Sequence, residues 1–289
     1  MNIVYLNERY LPSDQASISV MDRGFLFGDG VYEVIPVYAG RLFQLEQHLA
    51  RLQHSLSAIN LALEYDQDDW RMRFDELIKR NQAMHCSIYL QITRGAYETR
   101  DHRFPKQVKP TVFMRLSQLP SQQQQPSSDG LALHTTQDIR WQRCDIKAIT
   151  LLANCMARQA AEQAGADEAL LINEEGLALE CASSNLFMIK QSKVYTAPLS
   201  NHILGGITRS VAIEASRNAG LEVVEETFTR SQLLSADEVW ITSSSKEIRR
   251  VSKIDQHTIG DGDNAAIWQR VIEEYMKIKQ KLYNGVYTG

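Results

Sequence analysis

Apolar residues recur at spacings of three and four along several stretches of the chain, and this spacing predicts amphipathic helices. One helix is predicted from His48 to Leu63, with apolar positions at Leu49, Leu52, Leu56 and Ile59. A second is predicted over Gln67–Gln82, because Asp66 and Asp69 resemble a capped helix start. Glycines shortly after their ends support the helices Leu152–Gln163 and Ile207–Asn218. The last predicted helix bears Ile267, Val271, Tyr275, Ile278 and Leu282.

Short apolar or alternating runs between turn residues predict strands. Val31–Tyr38 and Arg41–Leu45 flank Ala39–Gly40 and predict a hairpin. The other predicted strands are Ser87–Thr93, Thr111–Leu116, Leu131–Thr136, Glu168–Asn173, Leu177–Glu180, Asn185–Ile189, Val194–Ala197 and Val239–Thr242. Meandering strands with intermittent helices predict an α+β fold rather than a doubly wound sheet.

The clearest change of composition is the polar stretch Gln122–Gly130, which contains four consecutive glutamines and no apolar residue. Such a stretch is typical of a solvated linker. We therefore predict a small N-terminal domain over residues 1–121, a linker over 122–130 and a larger domain over 131–289.

The chain has 289 residues, of which 44% are hydrophobic and 23% charged, as in a globular protein. Its net charge of −4 argues against nucleic-acid and membrane-surface partners, which select a basic excess, and favours small-molecule chemistry. No apolar run is long enough to span a membrane, and no secretory leader is recognisable. The scattered Cys86, Cys144, Cys155 and Cys181 are interpreted as buried thiols of a reducing compartment, so we expect a cytoplasmic protein.

Lys147 lies in an apolar context, between Ile146 and Ala148, and is predicted to lie on an apolar strand. Burial favours the neutral amine, which is the form that reacts with an aldehyde cofactor. The alternative is a lysine whose stem lies on apolar surface while its ammonium stays in water.

Two segments have the residue types of an anion cradle. Leu204–Arg209 has two glycines at a helix start, where free N–H groups favour a phosphate, and Thr208 adds a hydroxyl. Thr242–Ser245 is a hydroxyl-rich turn after a strand. Each is equally an ordinary polar turn or helix start, and the same two interpretations apply to Ser183–Asn185.

Other candidate groups are charged. Arg51 on the first helix can bind a phosphate or remain solvated, and Glu180 can accept a proton from a ring nitrogen or cap a turn. The glycines and aromatics of Gly24–Glu33 indicate tight turns beside a pocket. The cationic loop Arg94–Pro105 can bind a substrate carboxylate or can pair with surface acids.

Taken in order, these segments resemble the fold-type IV pyridoxal-phosphate (PLP) enzymes, and most nearly the D-amino-acid (D-alanine) transaminases. The resemblance runs from about Tyr5 to Lys279, and the stretches that carry it are Asp22–Val34, Arg100–Pro105, Trp141–Lys147, Glu180–Asn185, Gly206–Arg209 and Thr242–Ser245. It implies a two-domain fold with a small N-terminal α/β domain and a larger, barrel-like C-terminal α/β domain.

The resemblance also implies the roles of the candidate residues. Lys147 would form the internal aldimine with PLP and carry the proton, and Glu180 would bond the pyridine nitrogen. The remaining cofactor contacts would come from Arg51, Ser183, Ile207, Thr208, Ser243 and Ser244. Cys181–Ala182 stands where Gly-Ser is more usual in the family, so the resemblance is weaker there.

For the substrate, the resemblance implies a carboxylate trap made of Tyr32, Arg100 and His102, the last two supplied across a homodimer interface. The implied reaction moves the amino group of a D-amino acid, typically D-alanine, to a 2-oxo acid, typically 2-oxoglutarate. The alternatives on the same fold are a branched-chain L-amino-acid transaminase and an aminodeoxychorismate lyase. A PLP-binding protein without turnover and a carboxylate-binding interaction module are the alternatives outside enzymes.

Overall fold

The computed structural model describes residues 2–119, 129–260 and 266–283. Contacts divide the chain into two units. The first comprises the described parts of Met1–Gln122, Ile146–Thr150 and Leu282–Gly289, and the second those of Gln123–Asp145 and Leu151–Lys281. Most of the predicted linker lies outside the described residues, so that boundary stays a prediction. Ile146–Thr150 groups with the first unit, although the predicted C-terminal domain includes it.

The first unit is built on an antiparallel sheet with helices beside it. Its strands, in the order β2-β1-β6-β5-β3-β4, are β1 (Ile3–Leu6), β2 (Arg9–Pro12), β3 (Gly30–Tyr38), β4 (Arg41–Leu42), β5 (Cys86–Thr93) and β6 (Thr111–Gln118). Its helices are α1 (Arg23–Phe27), α2 (Leu45–Ala58) and α3 (Gln67–Asn81). The predicted hairpin is confirmed, with Val37 and Tyr38 paired to Leu42 and Arg41.

The helices of this unit differ from the predictions mainly at their ends. Helix α2 starts at Leu45, which is fully buried, and ends at Ala58, since Asn60 takes a left-handed conformation with φ 51°. The predicted His48–Leu63 bounds are therefore wrong at both ends. Helix α3 begins as predicted, because Asp66 and Asp69 form a reciprocal capping box.

The second unit contains the remaining elements. Its strands are β7 (Leu131–Gln137), β8 (Glu168–Ile172), β9 (Leu177–Cys181), β10 (Asn185–Lys190), β11 (Lys193–Thr196), β12 (Glu222–Glu225), β13 (Phe228–Thr229), β14 (Glu238–Ser243), β15 (Glu247–Ile254) and β16 (His257–Thr258). Its helices are α4 (Leu152–Gln163), α5 (Ile207–Asn218), α6 (Arg230–Leu234) and α7 (Ala266–Tyr283), although the last two residues of α7 group with the first unit.

Strands of the second unit close on themselves. Pairing runs β10-β14-β15-β7-β8-β9, and β9 pairs back to β10 through Glu180 and Asn185. A closed ring leaves no free edge among these strands, which is the property of a barrel. The α+β class and the barrel-like character of the larger unit are confirmed.

Strand β15 has no counterpart among the predicted strands. Its fully buried apolar residues Ile248, Val251 and Ile254 are spaced by three, as in a helix, rather than by two. A register irregularity between Val251 and Lys253, where β15 pairs β7, accounts for the change of alternation between Val251 and Ile254.

Two further expectations are corrected. Cys155 is exposed, whereas the other cysteines are buried, because its position on α4 faces away from the buried Ala157 and Ala161. The segment expected to form tight turns contains helix α1, capped by the Asp22 side chain and ended by left-handed Gly28.

Among the residues that the structure describes, no helix combines the length and apolar character needed to cross a membrane.

Candidate active site

Lys147 does not lie on a regular strand, so that prediction is wrong. Its segment forms one isolated bridge, Val31 to Ala148, and its carbonyl accepts the Tyr32 N–H at 2.9 Å. The Lys147 N–H donates to Ser55 Oγ at 3.1 Å. The side chain is half-buried, and its Nζ lies 4.0 Å from the centre of the Tyr32 ring. The backbone is thus fixed against β3 and α2, and the amine faces an aromatic surface.

Arg51 belongs to a buried charged triad that sequence reasoning missed. Glu33 of β3 is fully buried. It accepts a hydrogen bond from Arg51 Nε on Oε1 and another from Arg51 Nη2 on Oε2, each at 2.8 Å. His48 Nδ1 lies 2.8 Å from the same carboxylate. Burial opposes ionisation of Glu33, but the charge of Arg51 and the hydrogen bonds of Arg51 and His48 outweigh it, so the pKa is lowered.

His48 is also fully buried, and burial lowers its pKa although Glu33 opposes the change. Since Glu33 is ionised and can only accept, a neutral His48 must carry its proton on Nδ1 and donate it to Glu33. The one sequence signal for this triad is Glu33, a carboxylate at an inward position between the buried Val31 and Ile35.

The three predicted trap residues belong to the first unit. Tyr32 is half-buried on β3, and Arg100 and His102 are exposed. Both lie against one ring, since Arg100 Cζ is 4.9 Å from the centre of Phe27 and the His102 ring is 5.4 Å from it. Of the other cations in this loop, Arg103 pairs with Asp101, and Arg94 is buried and bonds Asp29.

Glu180 is a buried carboxylate of the second unit with three donors. It accepts a short hydrogen bond from Arg140 on Oε1, and Asn185 Nδ2 at 3.0 Å and Leu204 N at 3.2 Å on Oε2. Arg140 in turn holds Asp138 through Nε at 2.9 Å and Nη2 at 2.7 Å. Burial raises the pKa of Glu180, and Arg140 opposes that rise only in part. Sequence reasoning missed both Arg140 and Asn185.

Barrel closure aligns three polar side chains. Asn185 pairs with Glu180 on one side and with Thr242 on the other, so the three side chains share one face of the sheet. Thr242 Oγ1 is buried and has no hydrogen-bond partner among the described residues. Buried hydroxyls are rarely left without a partner in native structures, so the Thr242 hydroxyl can bond a polar ligand on this face.

Ile207 and Thr208 are the first two residues of α5, whose N-cap is Gly206 with no side-chain capping bond. The first-turn N–H groups of an α-helix have no partner within the helix and attract anions. A Cβ on Gly206 would lie 2.0 Å from Asn185 Oδ1, so only glycine allows the helix to start this close to Asn185.

The predicted serines have separate environments. The exposed Ser183 donates a short hydrogen bond to the buried Glu168. Ser243 ends β14 and accepts the Lys246 N–H at 3.1 Å, and Ser244 is half-buried in the following turn. Lys246 Nζ also bonds Glu168 at 2.7 Å, which ties the hydroxyl turn to the start of β8.

Comparison with known proteins then places this chemistry in a family. Residues 30–254 match the family described as amino-transferase class IV. The chain belongs to that family. It is 40% identical to a D-alanine aminotransferase of Bacillus licheniformis over 90% of both chains. A D-alanine aminotransferase of Staphylococcus haemolyticus is 38% identical over 96% of this chain and 98% of its own.

Solved structures show the same fold. A branched-chain amino acid aminotransferase with pyridoxamine 5'-phosphate, from the organism abbreviated T.th., has a TM-score of 0.87 at 27% identity, covering 95% of this chain and 93% of its own. A putative 4-amino-4-deoxychorismate lyase of Legionella pneumophila has a TM-score of 0.82 at 26% identity, covering 92% and 97%. The predicted fold-type IV family is confirmed.

The residues present fit PLP as a cofactor. A buried carboxylate suits a protonated ring nitrogen, an uncapped helix start suits a phosphate, and a half-buried primary amine suits an aldehyde. Thr242 Oγ1 adds a buried hydroxyl that lacks a partner in the described chain. Aminotransferases of this family use PLP, and the chemistry of these side chains agrees with it.

Proposed function

We propose that this chain is a PLP-dependent transaminase that moves the amino group of a D-amino acid, typically D-alanine, to a 2-oxo acid, typically 2-oxoglutarate. One observation carries the choice of substrate. Relatives that are 38–40% identical over at least 90% of the chain are named D-alanine aminotransferases, whereas the branched-chain structure above is 27% identical.

PLP supplies an aldehyde that reacts with amines and a ring that withdraws electrons from the substrate α-carbon. Lys147 provides the primary amine for attachment and then moves the proton at the α-carbon. Glu180 would accept a hydrogen bond from the ring nitrogen, which favours the protonated form of the ring. Burial raises the pKa of Glu180, and Arg140 opposes that rise and so favours the anionic carboxylate that a protonated ring would need.

We propose that the phosphate is held by the Ile207 and Thr208 N–H groups, by Ser243 and Ser244, and by the charge of Arg51. Glu33 orients the Arg51 guanidinium through two parallel bonds, and His48 supports Glu33. Ser183 contributes by donating to Glu168, which also accepts Lys246 Nζ from the hydroxyl turn that carries Ser243 and Ser244.

For the substrate, we propose that Tyr32, Arg100 and His102 bind the α-carboxylate and that Arg100 and His102 do so in the partner subunit of a homodimer. Both side chains are exposed in the single chain, as are Val20 just before helix α1 and Phe25 on it, at 70% and 68%. Exposed apolar side chains together with cationic ones are typical of an interface that a second copy covers. A cytoplasmic location is part of the same proposal.

The proposal is tested by an amino-donor screen with both enantiomers, using purified protein loaded with PLP. We expect turnover with D-alanine and 2-oxoglutarate and little with L-leucine or L-valine. Turnover restricted to L-donors, or pyruvate release from aminodeoxychorismate, would instead assign one of the two other activities of this fold.

The covalent site is tested separately by borohydride reduction and peptide mapping. We expect the pyridoxyl label on Lys147 and no transamination in Lys147→Ala. Lys193→Ala is the matched control, because Lys193 pairs with Glu222 at the surface and is expected to leave turnover unchanged. A label on another lysine contradicts the assignment.

A further inference from the structure

The loop that carries Arg100 and His102 is bonded by a buried arginine, Arg23, to which the sequence analysis assigned no role. Arg23 donates Nη1 to the Asp101 carbonyl at 2.5 Å and Nη2 to the His102 carbonyl at 3.3 Å. These carbonyls belong to the residues directly after Arg100. A single planar guanidinium therefore fixes the backbone that carries both cationic trap residues.

Arg23 is itself rigidly placed. It is 3% exposed, it opens helix α1, and its Nε donates to Asp29 Oδ2 at 2.8 Å. The same oxygen accepts Arg94 Nε at 2.8 Å. Arg94 donates its other nitrogens to the Ile59 and Asn60 carbonyls after helix α2, at 2.7 and 3.1 Å. A continuous chain of bonds thus joins the end of α2 to the loop.

The Phe27 ring is a second link between Arg23 and the loop. Phe27 lies one helical turn after Arg23 on α1, and Arg23 Cζ is 4.7 Å from its ring centre. Arg100 and His102 approach the same ring at 4.9 and 5.4 Å. Helix α1 therefore supports the backbone of the loop through Arg23 and its two side chains through Phe27.

We infer that Arg23 is a positioning residue for substrate specificity: it sets the loop geometry in which Arg100 and His102 bind the substrate carboxylate, without touching the substrate. The inference rests on the proposed function of these two residues. Arginine is required because one side chain must bond Asp29 and two separate carbonyls at once. Lysine keeps the charge but has only one nitrogen for these partners.

The test compares Arg23→Lys and Arg23→Gln with the control Arg103→Gln. Arg103 bonds the side chain of the same Asp101 but is 89% exposed. We expect both Arg23 variants to raise KM for D-alanine and 2-oxoglutarate about 10-fold or more, because small displacements of binding groups are costly. We expect kcat at saturation and the Kd for PLP to change less than about threefold in both Arg23 variants. In the control Arg103→Gln, we expect kcat, both KM values and the Kd for PLP to change less than about threefold.

Amide hydrogen exchange of residues 99–104 gives a readout that does not depend on turnover. We expect exchange there to accelerate about 10-fold in both Arg23 variants and to stay at the wild-type rate in Arg103→Gln. Wild-type exchange and wild-type KM in Arg23→Lys would overturn the inference. Equal effects of Arg103→Gln would also overturn it, because the loop would then be held from its surface side.

Two further arms keep the result interpretable. If the Arg23 variants do not fold, Phe27→Leu replaces them, and it is expected to raise both KM values while an unchanged KM overturns the inference. If the wild type transfers no amino group from D-amino acids, the proposed function fails, and the exchange measurement alone then decides whether Arg23 holds the loop.

Discussion

Two buried glutamates, one in each unit, are both bonded by an arginine, yet their pKa values are shifted in opposite directions. Glu33 is 0% exposed and Glu180 is 4% exposed, and each accepts hydrogen bonds from an arginine. Nevertheless, the pKa of Glu33 is lowered and that of Glu180 is raised. Burial favours the neutral form of both, so the difference must come from the bonds around each carboxylate.

The arginine of the first pair serves both oxygens of one carboxylate, whereas the arginine of the second is shared. Arg51 bonds each oxygen of Glu33 at 2.8 Å. Arg140 reaches one oxygen of Glu180 and gives two bonds to Asp138, whose own negative charge raises the pKa of Glu180 further. The charge of an arginine stabilises a buried carboxylate less when another carboxylate competes for it.

This difference matches the two proposed tasks. Glu33, whose lowered pKa keeps it ionised at neutral pH, holds Arg51 in one orientation for a phosphate. Glu180 is held by Arg140, Asn185 and Leu204 and would accept one further hydrogen bond from a protonated ring nitrogen.

Removal of Arg140 is expected to have the largest effect. Arg140→Met leaves Glu180 and Asp138 buried without their shared cation, which typically costs about 3–5 kcal/mol of stability. Denaturant unfolding at neutral pH measures the loss. The control is Arg143→Met, since Arg143 pairs with Asp145 at 2.9 Å but its side chain is 43% exposed. A control loss as large as the Arg140 loss would contradict the role of burial.

The elements were far more predictable from sequence than these pairs. Helix α5 and the start of α3 were predictable because caps and glycines act locally. Glu180 was a candidate because it stands at a strand end in a recognisable motif. Arg140 was not, because it contacts Glu180 only through the pairing of β7 with β8 and of β8 with β9, 40 positions along the chain.

Arg23 shows the same limit for the loop. Asp22–Arg23–Gly24 is visible as a motif, but the Asp101 carbonyl that Arg23 bonds is 78 residues away. Arg23 precedes β3 and Asp101 follows β5, so their contact depends on the pairing register of these two strands, which the side-chain pattern alone does not fix.

The second prediction concerns catalysis. Glu180→Gln keeps the size of the side chain but removes the charge beside the ring nitrogen, so kcat is expected to fall about 10²–10³-fold. Steady-state kinetics at saturating PLP measures it. Glu238→Gln is the control: Glu238 is also buried, but it accepts Trp240 Nε1 at 2.9 Å and Trp268 N at 3.0 Å, and kcat is expected to persist. Equal losses would deny Glu180 a special role.

The third prediction is the counterpart in the first unit. Glu33→Gln removes charged hydrogen bonds to Arg51, which are worth about 1.5–3 kcal/mol, and is expected to weaken PLP binding while kcat at saturating PLP is retained. The pKa of Glu33 is lowered in the folded protein, so ionised Glu33 stabilises the fold above the ordinary glutamate pKa of about 4.3. This contribution is lost as the pH falls from that value through the lowered pKa. A kcat loss matching that of Glu180→Gln would erase the contrast between the two residues.

The smallest effect is expected from substitution of His48, the histidine that contacts Glu33. Burial lowers the pKa of His48, so below the ordinary value of about 6.5 the unfolded chain binds a proton that the folded chain does not. Wild-type stability therefore falls as the pH drops below that value. His48→Gln can still donate to Glu33 but has no proton to gain, so its deficit of about 1 kcal/mol near pH 7.5 should shrink towards pH 5. Unfolding measured in parallel at both values decides the matter, since a deficit that grows on acidification would mean that His48 is protonated in the folded protein.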